Sequence, residues 1–340
     1  MLAHQPERRY HIVLLALLSA GALAGCQSAY YLQAARGQAG VLMARRSLVH
    51  VIEDPRTPPA LSARLKLFRD AREFASQQLG LPDNRSYRSY ADLHRDYAVW
   101  NVVAAAEFAV VPRQWCFPVA GCVAYRGYFH QRSAQRFAAR LRKKGDDVIV
   151  GGVSAYSTLG RFADPLLSTQ LRYDDVEVVG ILFHELAHQQ VYVRGDSSFN
   201  ESFATTVGEV GLARWLQARQ QGADLDHWRA GQERQRVRVQ RIAAASADLS
   251  ALYREKMAPD AMRERKRLRF EQLAHELNAA PPRALNNADL VAAATYFDCV
   301  PGFERELAAV DGDLPRFYQR VRELARLTAP ERRARLSAAE

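Results

Sequence analysis

The sequence predicts an α+β chain, mainly α with a small β element. Three observations carry that expectation. Apolar residues recur at helical spacing over long stretches, most clearly 174–193 and 200–219. The stretch 110–129 is rich in aromatic and β-branched residues and holds Pro112 and Pro118. The run Val148-Ile149-Val150 leads into Gly151-Gly152-Val153, which reads as a short strand. With 340 residues, 48% apolar and 25% charged, the chain is long enough to bury a sizeable core, and its composition excludes disorder as the default state.

The first element is an export signal over 1–25. Arg8 and Arg9 form a short positive region, and Ile12 to Ala24 is an apolar and small-residue run. That run is too short to cross a bilayer comfortably. It ends in Leu23-Ala24-Gly25-Cys26, which resembles the bacterial lipobox. The resemblance implies that the Cys26 thiol takes up a lipid and that the signal is cut off in front of it. Gln27 after the cysteine resembles the pattern sorted to the outer membrane. The expected location is therefore the bacterial cell envelope, lipid-anchored at the outer membrane and facing the periplasm.

Helices are expected over Tyr30 to Val51 and Leu61 to Leu79, separated by the proline-rich break from Asp54 to Pro59. Tyr90 to Phe108 also has helical spacing, and 110–129 reads as irregular strands or an extended loop. Ser133 to Lys144 is a basic helix closed by Gly145. Asp174 to Val193 and Asn200 to Arg219 follow, joined by the loop Arg194-Gly195-Asp196-Ser197-Ser198. The charged, Arg-rich stretch from His227 to Ala279, broken near Pro259, reads as a helical hairpin of about 225–280 added to a single domain spanning 26–330. Ala288 to Val300 and Leu314 to Leu327 are further helices, and the end of the chain, 331–340, is expected to be frayed.

In an oxidising compartment Cys116 and Cys122, which flank Phe-Pro-Val-Ala-Gly, are expected to form a disulfide. Cys299 is left over, most simply as a small buried residue. The net charge of +10 suits anionic lipid head groups or acidic envelope polymers, or is a solvated surface. An exported chain rarely meets nucleic acid, so that partner is not expected; protein partners cannot be read.

The chemistry lies in His184-Glu185-Leu186-Ala187-His188. Residues four apart share one face of a helix, so both imidazoles can aim at one Zn²⁺ ion. Glu185 lies about 100° round the helix, beside the metal but off the ligand axis, placed to take a proton from water as general base. A catalytic zinc takes three protein ligands and keeps one position open. Asn200-Glu201-Ser202-Phe203-Ala204-Thr205 opens the next helix, and twelve residues separate His188 from Glu201, enough for a turn. Glu201 is the expected third ligand. Glu209, two turns on, and Asp196, in the loop, are alternatives, and Thr205 could orient a ligand.

This pair of motifs resembles the gluzincin metallopeptidases, above all the neutral zinc aminopeptidases, although the spacing before the glutamate is shorter here. More broadly, Trp115-Cys116-Phe117-Pro118, Tyr125-Arg126-Gly127-Tyr128-Phe129, Ala155 to Gly160, Phe183 to His188 and Phe199 to Thr205 are similar to a family of bacterial lipoproteins described as predicted aminopeptidases. The resemblance implies a zincin-like metallopeptidase core that hydrolyses peptides.

Tyr156 and Tyr296 are candidates to hold the oxyanion that forms during hydrolysis. Gly151 to Leu159 could present backbone groups to an extended peptide. The corresponding stretch in neutral zinc aminopeptidases carries an acid that grips the substrate amine, and no glutamate stands there in this chain. Two other readings fit the same residues: an envelope scaffold lipoprotein with a structural metal, and a zinc amidase acting on a non-peptide or cell-wall amide.

Overall fold

The structure, a computed structural model, describes residues 28–278 and 284–337. The expected signal, Cys26 and the hairpin's last residue Ala279 lie outside them. The chain forms two compact units that divide between Ala44 and Arg45. In the first, residues 28–43 form helix α1. The second is mainly helical with small sheets, the expected α+β class. No helix among the described residues is long and apolar enough to cross a membrane.

The expected helix from Tyr30 to Val51 is not continuous. Strand β1 (Arg45–Ser47) interrupts it before α2 (Leu48–Glu53). The cause is non-local pairing: β1 runs antiparallel to β2 (Ser89–Ala91), which pairs in parallel with β8 (Leu166–Leu167). The Arg45 guanidinium adds bonds to the Phe162 and Ala163 carbonyls at 2.8 and 3.1 Å. Helix α3 (Pro59–Gln77) starts on a proline, whose missing N–H costs nothing in a first turn, and buries Leu65, Phe68, Ala71, Arg72 and Ala75 at helical spacing.

Tyr90 to Phe108 is not a helix either. It contains the end of β2, a bend in which His94 has φ +48°, and β3 (Val99–Ala105). β3 is the central strand of an antiparallel sheet, between β6 (Arg126–Tyr128) and β7 (Asp147–Val153). The alanines at its end favour a helix locally, but two neighbours satisfy its backbone as a strand. Helix α4 (Gln131–Arg142) covers the sheet with Ala134, Phe137 and Ala138 and ends, as expected, at Gly145 with φ +85°. Strands β4 (Trp115–Phe117) and β5 (Gly121–Val123) form a separate hairpin closed by the Cys116–Cys122 disulfide. The expected irregular strands of 110–129 are thus β4, β5 and β6.

The main core is built around α5 (Asp175–Gln190) and α6 (Ser197–Ala218), which pack along each other and against α3. Asp174 and Asp196 cap them by accepting from Glu177 N and Phe199 N, so Asp196 is a helix cap. α10 (Val300–Ala308) and α11 (Leu314–Arg326) add Phe303, Phe317 and Tyr318 to this core. The expected hairpin is α7 (Gly222–Leu252) and α8 (Pro259–Glu276), with its own apolar cluster of Ala245, Leu249, Leu252, Met262, Phe270 and Leu273. Helix α9 (Asn287–Phe297) packs on α6, α7 and β3.

The tail is not frayed through its described residues. α12 (Ala329–Ser337) buries Arg332 and Leu336. Gly302 makes room for it, since a Cβ there would lie 2.3 Å from the Leu336 carbonyl oxygen. Arg332 donates to Asp196 at 2.8 and 3.0 Å, an attachment no local pattern reveals.

Candidate metal centre

α5 places His184 and His188 on one face, with ring centroids 4.9 Å apart and planes at 87°. Glu201, in the first turns of α6, meets both: its Oε2 lies 3.3 Å from His184 Nε2 and 3.5 Å from His188 Nε2. Each residue offers one donor atom, and the three atoms lie within 4.8 Å of one another. These three residues could hold a metal ion. A tetrahedron with corners about 2.0–2.1 Å from its centre, as nitrogen and oxygen ligands of zinc require, has edges of about 3.3–3.4 Å. The His184 separation falls on that edge and the His188 separation is slightly longer. Two neutral nitrogens and one carboxylate oxygen also suit zinc chemically.

Burial alone would hold Glu201 neutral, yet the His188 and His184 imidazoles overcome it and keep its carboxyl well below the usual range. Burial likewise opposes a charged His188, and Glu201 reverses the balance, raising its pKa. A buried carboxylate facing two imidazoles is the charge pattern of a site built for a cation. His188 Nδ1 is buried without a hydrogen-bond partner among the described residues.

Glu185 is 8% exposed. Burial pushes its pKa up; the two imidazoles counter this, while Glu201 and Asp164 add to it. It follows His184 directly in the chain and is not one of the three donors.

Of the two candidate tyrosines, Tyr296 stands by the cluster. The Glu201 charge, then burial, then Tyr125 and the Glu185 charge raise its pKa, so it keeps its proton as a donor. Two bonds through Ser202 of α6 hold the end of α9 and the start of α10: Ser202 Oγ donates to the Tyr296 carbonyl at 3.1 Å and accepts from Cys299 N at 3.2 Å. Tyr156, in the loop after β7, packs edge-on against Phe129. Burial and Asp164 raise its pKa, against Arg95.

Glu209 faces elsewhere. With the Gln232 amide turned to put its nitrogen toward Glu209, Glu209 Oε1 accepts from it at 3.0 Å, and its charged neighbours are Glu304 and Arg236. That corrects its place as an alternative ligand. Thr205 is half-buried one turn beyond Glu201.

Sequence reasoning missed Tyr87, Asp164 and Tyr192. Tyr87 is 2% exposed, adopts φ +63°, and its hydroxyl has no partner among the described residues. A bulky residue in that region is strained, which over-determined sites tolerate. Tyr87 N donates to the Asp164 carbonyl at 2.5 Å. Asp164 is 3% exposed, and its carboxylate accepts from Thr158 N and Oγ1 at 2.9 and 2.6 Å. Burial raises the pKa of Tyr87, followed by the charges of Glu185 and Asp164. Tyr192 feels Glu201 in the same way, after burial. Tyr87 and Asp164 have no local signature because they come from distant segments, and Tyr192, in the loop after α5, follows no motif spacing.

No curated protein and no solved structure matches the chain. One family model matches residues 29–336, a span that includes the three donors, Glu185 and all the folded elements from β1 to α11. On that match the chain belongs to the family described as "Putative aminopeptidase".

Proposed function

We propose that this chain is a zinc-dependent peptidase with a zincin-like core, acting as an aminopeptidase in the periplasm and held to the outer membrane by lipid on Cys26. One observation carries the catalytic part: donor atoms of His184, His188 and Glu201 converge within 4.8 Å of one another, next in the chain to the buried Glu185. The family supplies the peptide substrate.

His184 Nε2, His188 Nε2 and a Glu201 oxygen would hold the ion, leaving a fourth position open. Zinc bound there supplies Lewis acidity, which lets water lose a proton near neutral pH. Glu185 receives that proton on its carboxylate and passes it to the leaving amine. The burial that raises the Glu185 pKa makes its carboxylate a stronger base for the proton it takes and holds that proton on it until the leaving amine accepts it. Tyr296 donates its hydroxyl proton in a hydrogen bond to the developing oxyanion. The sheet edge at Gly151–Val153 on β7 offers backbone groups to an extended chain.

The test compares the parent with Glu185→Gln for zinc content and for release of amino acids from a peptide mixture, read by mass spectrometry. One zinc in each protein with cleavage by the parent alone supports the reading, and single residues released from amino termini make it an aminopeptidase. Absence of stoichiometric zinc in the reconstituted parent sinks the metal assignment. Zinc without cleavage favours the scaffold or the non-peptide amidase.

A further inference from the structure

The disulfide hairpin β4–β5 stands apart from both other sheets, and two strands alone are marginally stable. Its turn nevertheless lies directly on the loop between the two metal-site helices. The Ala120 carbonyl accepts from Gly195 N at 3.0 Å and from Tyr192 Oη at 3.3 Å. Gly121 adopts φ +79°, and a Cβ there would lie 2.6 Å from Gly195 N and 2.9 Å from Gly195 Cα. Backbone therefore meets backbone with no room for a side chain. Gly195, itself at φ +83°, presents its N–H to this turn.

The contact runs on into the site. Asn200 clips the same loop from inside, accepting from Val193 N and donating to the Val193 carbonyl, both at 2.7 Å. Asn200 precedes Glu201 in the chain, and Val191 N still bonds to the Ala187 carbonyl, next to His188. Ala120, Tyr192, Gly195, Val193 and Asn200 thus form a continuous path from the hairpin to the third donor.

We infer that the Cys116–Cys122 hairpin is a positioning clamp: seated through Ala120 and Gly121 on the Tyr192–Gly195 loop, it fixes that loop and through it the placement of Glu201 against His184 and His188. The cysteines stabilise the hairpin, the glycine lets it seat, and neither touches the donors. The inference rests on the metal reading for its functional meaning, but its mechanical content can be read without metal.

The experiment uses the full-length chain in detergent and the variants Gly121→Ala, Cys116→Ser/Cys122→Ser and Gly145→Ala. Gly145 is the control, because it shares a positive φ of +85° but a Cβ there would meet nothing within 4 Å. Two quantities are read: zinc affinity by competition with a chromogenic chelator, and amide hydrogen exchange over 191–201. The clamp predicts roughly tenfold or greater loss of zinc affinity in both clamp variants, as for other groups that orient metal ligands. It also predicts faster exchange over 191–201, with exchange in α3 unchanged and Gly145→Ala like the parent. Parent-like affinity and exchange in both clamp variants overturn the inference, as does an equal loss in Gly145→Ala. Should the parent itself bind no zinc, the metal reading fails, and the exchange data alone uphold or overturn the clamp. The glycine variant retains both cysteines, so a folding failure of the double variant leaves the inference testable.

Discussion

Gly208 of α6 lies against the backbone of His184 in α5: a Cβ at position 208 would stand 3.3 Å from His184 Cβ and 3.4 Å from its N. The Gly180 carbonyl would be closer still, at 3.2 Å. The missing side chain eases the close approach of the two helices that lets Glu201 reach both imidazoles, since an added Cβ would force a shift of a few tenths of an ångström. Gly208→Val is expected to push α6 outward and weaken zinc binding at least about tenfold, a cost typical of displaced ligand support. A chelator competition titration checks this; an unchanged affinity would show that the close approach does not set the donor spacing.

Tyr296→Phe removes only a hydroxyl beside the Glu201 and Glu185 charges. It is expected to lower kcat about 10²–10³-fold with zinc content unchanged, the cost of losing one oxyanion donor. Tyr156→Phe, whose charged neighbours are Asp164 and Arg95, should lower kcat far less. Steady-state rates for both variants on one peptide decide between them, and equal losses would remove the distinction.

Glu209 gives the fold a dependence on pH. Burial, reinforced by Glu304 and opposed by Arg236, pushes its pKa up to about 7 from an ordinary 4.5. Between those values the folded state holds a proton that the unfolded state has released, so this group's contribution to stability falls as pH rises from about 4.5 to about 7 and is flat above. The loss is on the order of 3 kcal/mol. Glu209→Gln should therefore leave stability near pH 4.5 little changed and raise it at pH 8. Urea unfolding at the two values tests the sign; a variant that is weaker at pH 8 contradicts it.

Arg72 is 1% exposed and holds the turn that leads to Tyr87, donating to the Ser86, Pro82 and Asn84 carbonyls at 3.0, 2.8 and 3.1 Å. Arg72→Met keeps much of the volume and strands those acceptors. With buried acceptors costing about 1–3 kcal/mol each, a loss of about 3 kcal/mol or more is expected. Thermal unfolding measures it, and a shift of only a degree or two would mean the turn holds itself.

The metal-bearing residues were legible because their relation is local. His184 and His188 need only the pitch of one helix, and Glu201 needs only a helix, a turn and a second helix. Asp174 announced its helix start for the same reason, whereas Asp196, weighed as a ligand, caps α6 at Ser197 rather than at the expected Asn200. β3 was not legible: its Ala104 and Ala105 suit a helix, and only pairing with Arg126–Tyr128 and Asp147–Val153 makes it a strand. The same limit hid Tyr87, Asp164 and Tyr192, whose places depend on contacts between separate stretches of chain. Glu209 looked like a ligand by spacing, and the helix faces turned it toward Gln232 instead.

Asp196 does two things at once. It caps the helix that carries Glu201, accepting from Phe199 N at 3.1 Å, and it receives Arg332 from 136 positions further along the chain. A ribosome makes Arg332 only after all three donors and 136 residues after Asp196. The head of the Glu201 helix is therefore held first by its own cap and only later by Arg332. A chain cut short of Arg332 would carry all three donors without this attachment at the head of the helix that bears the third.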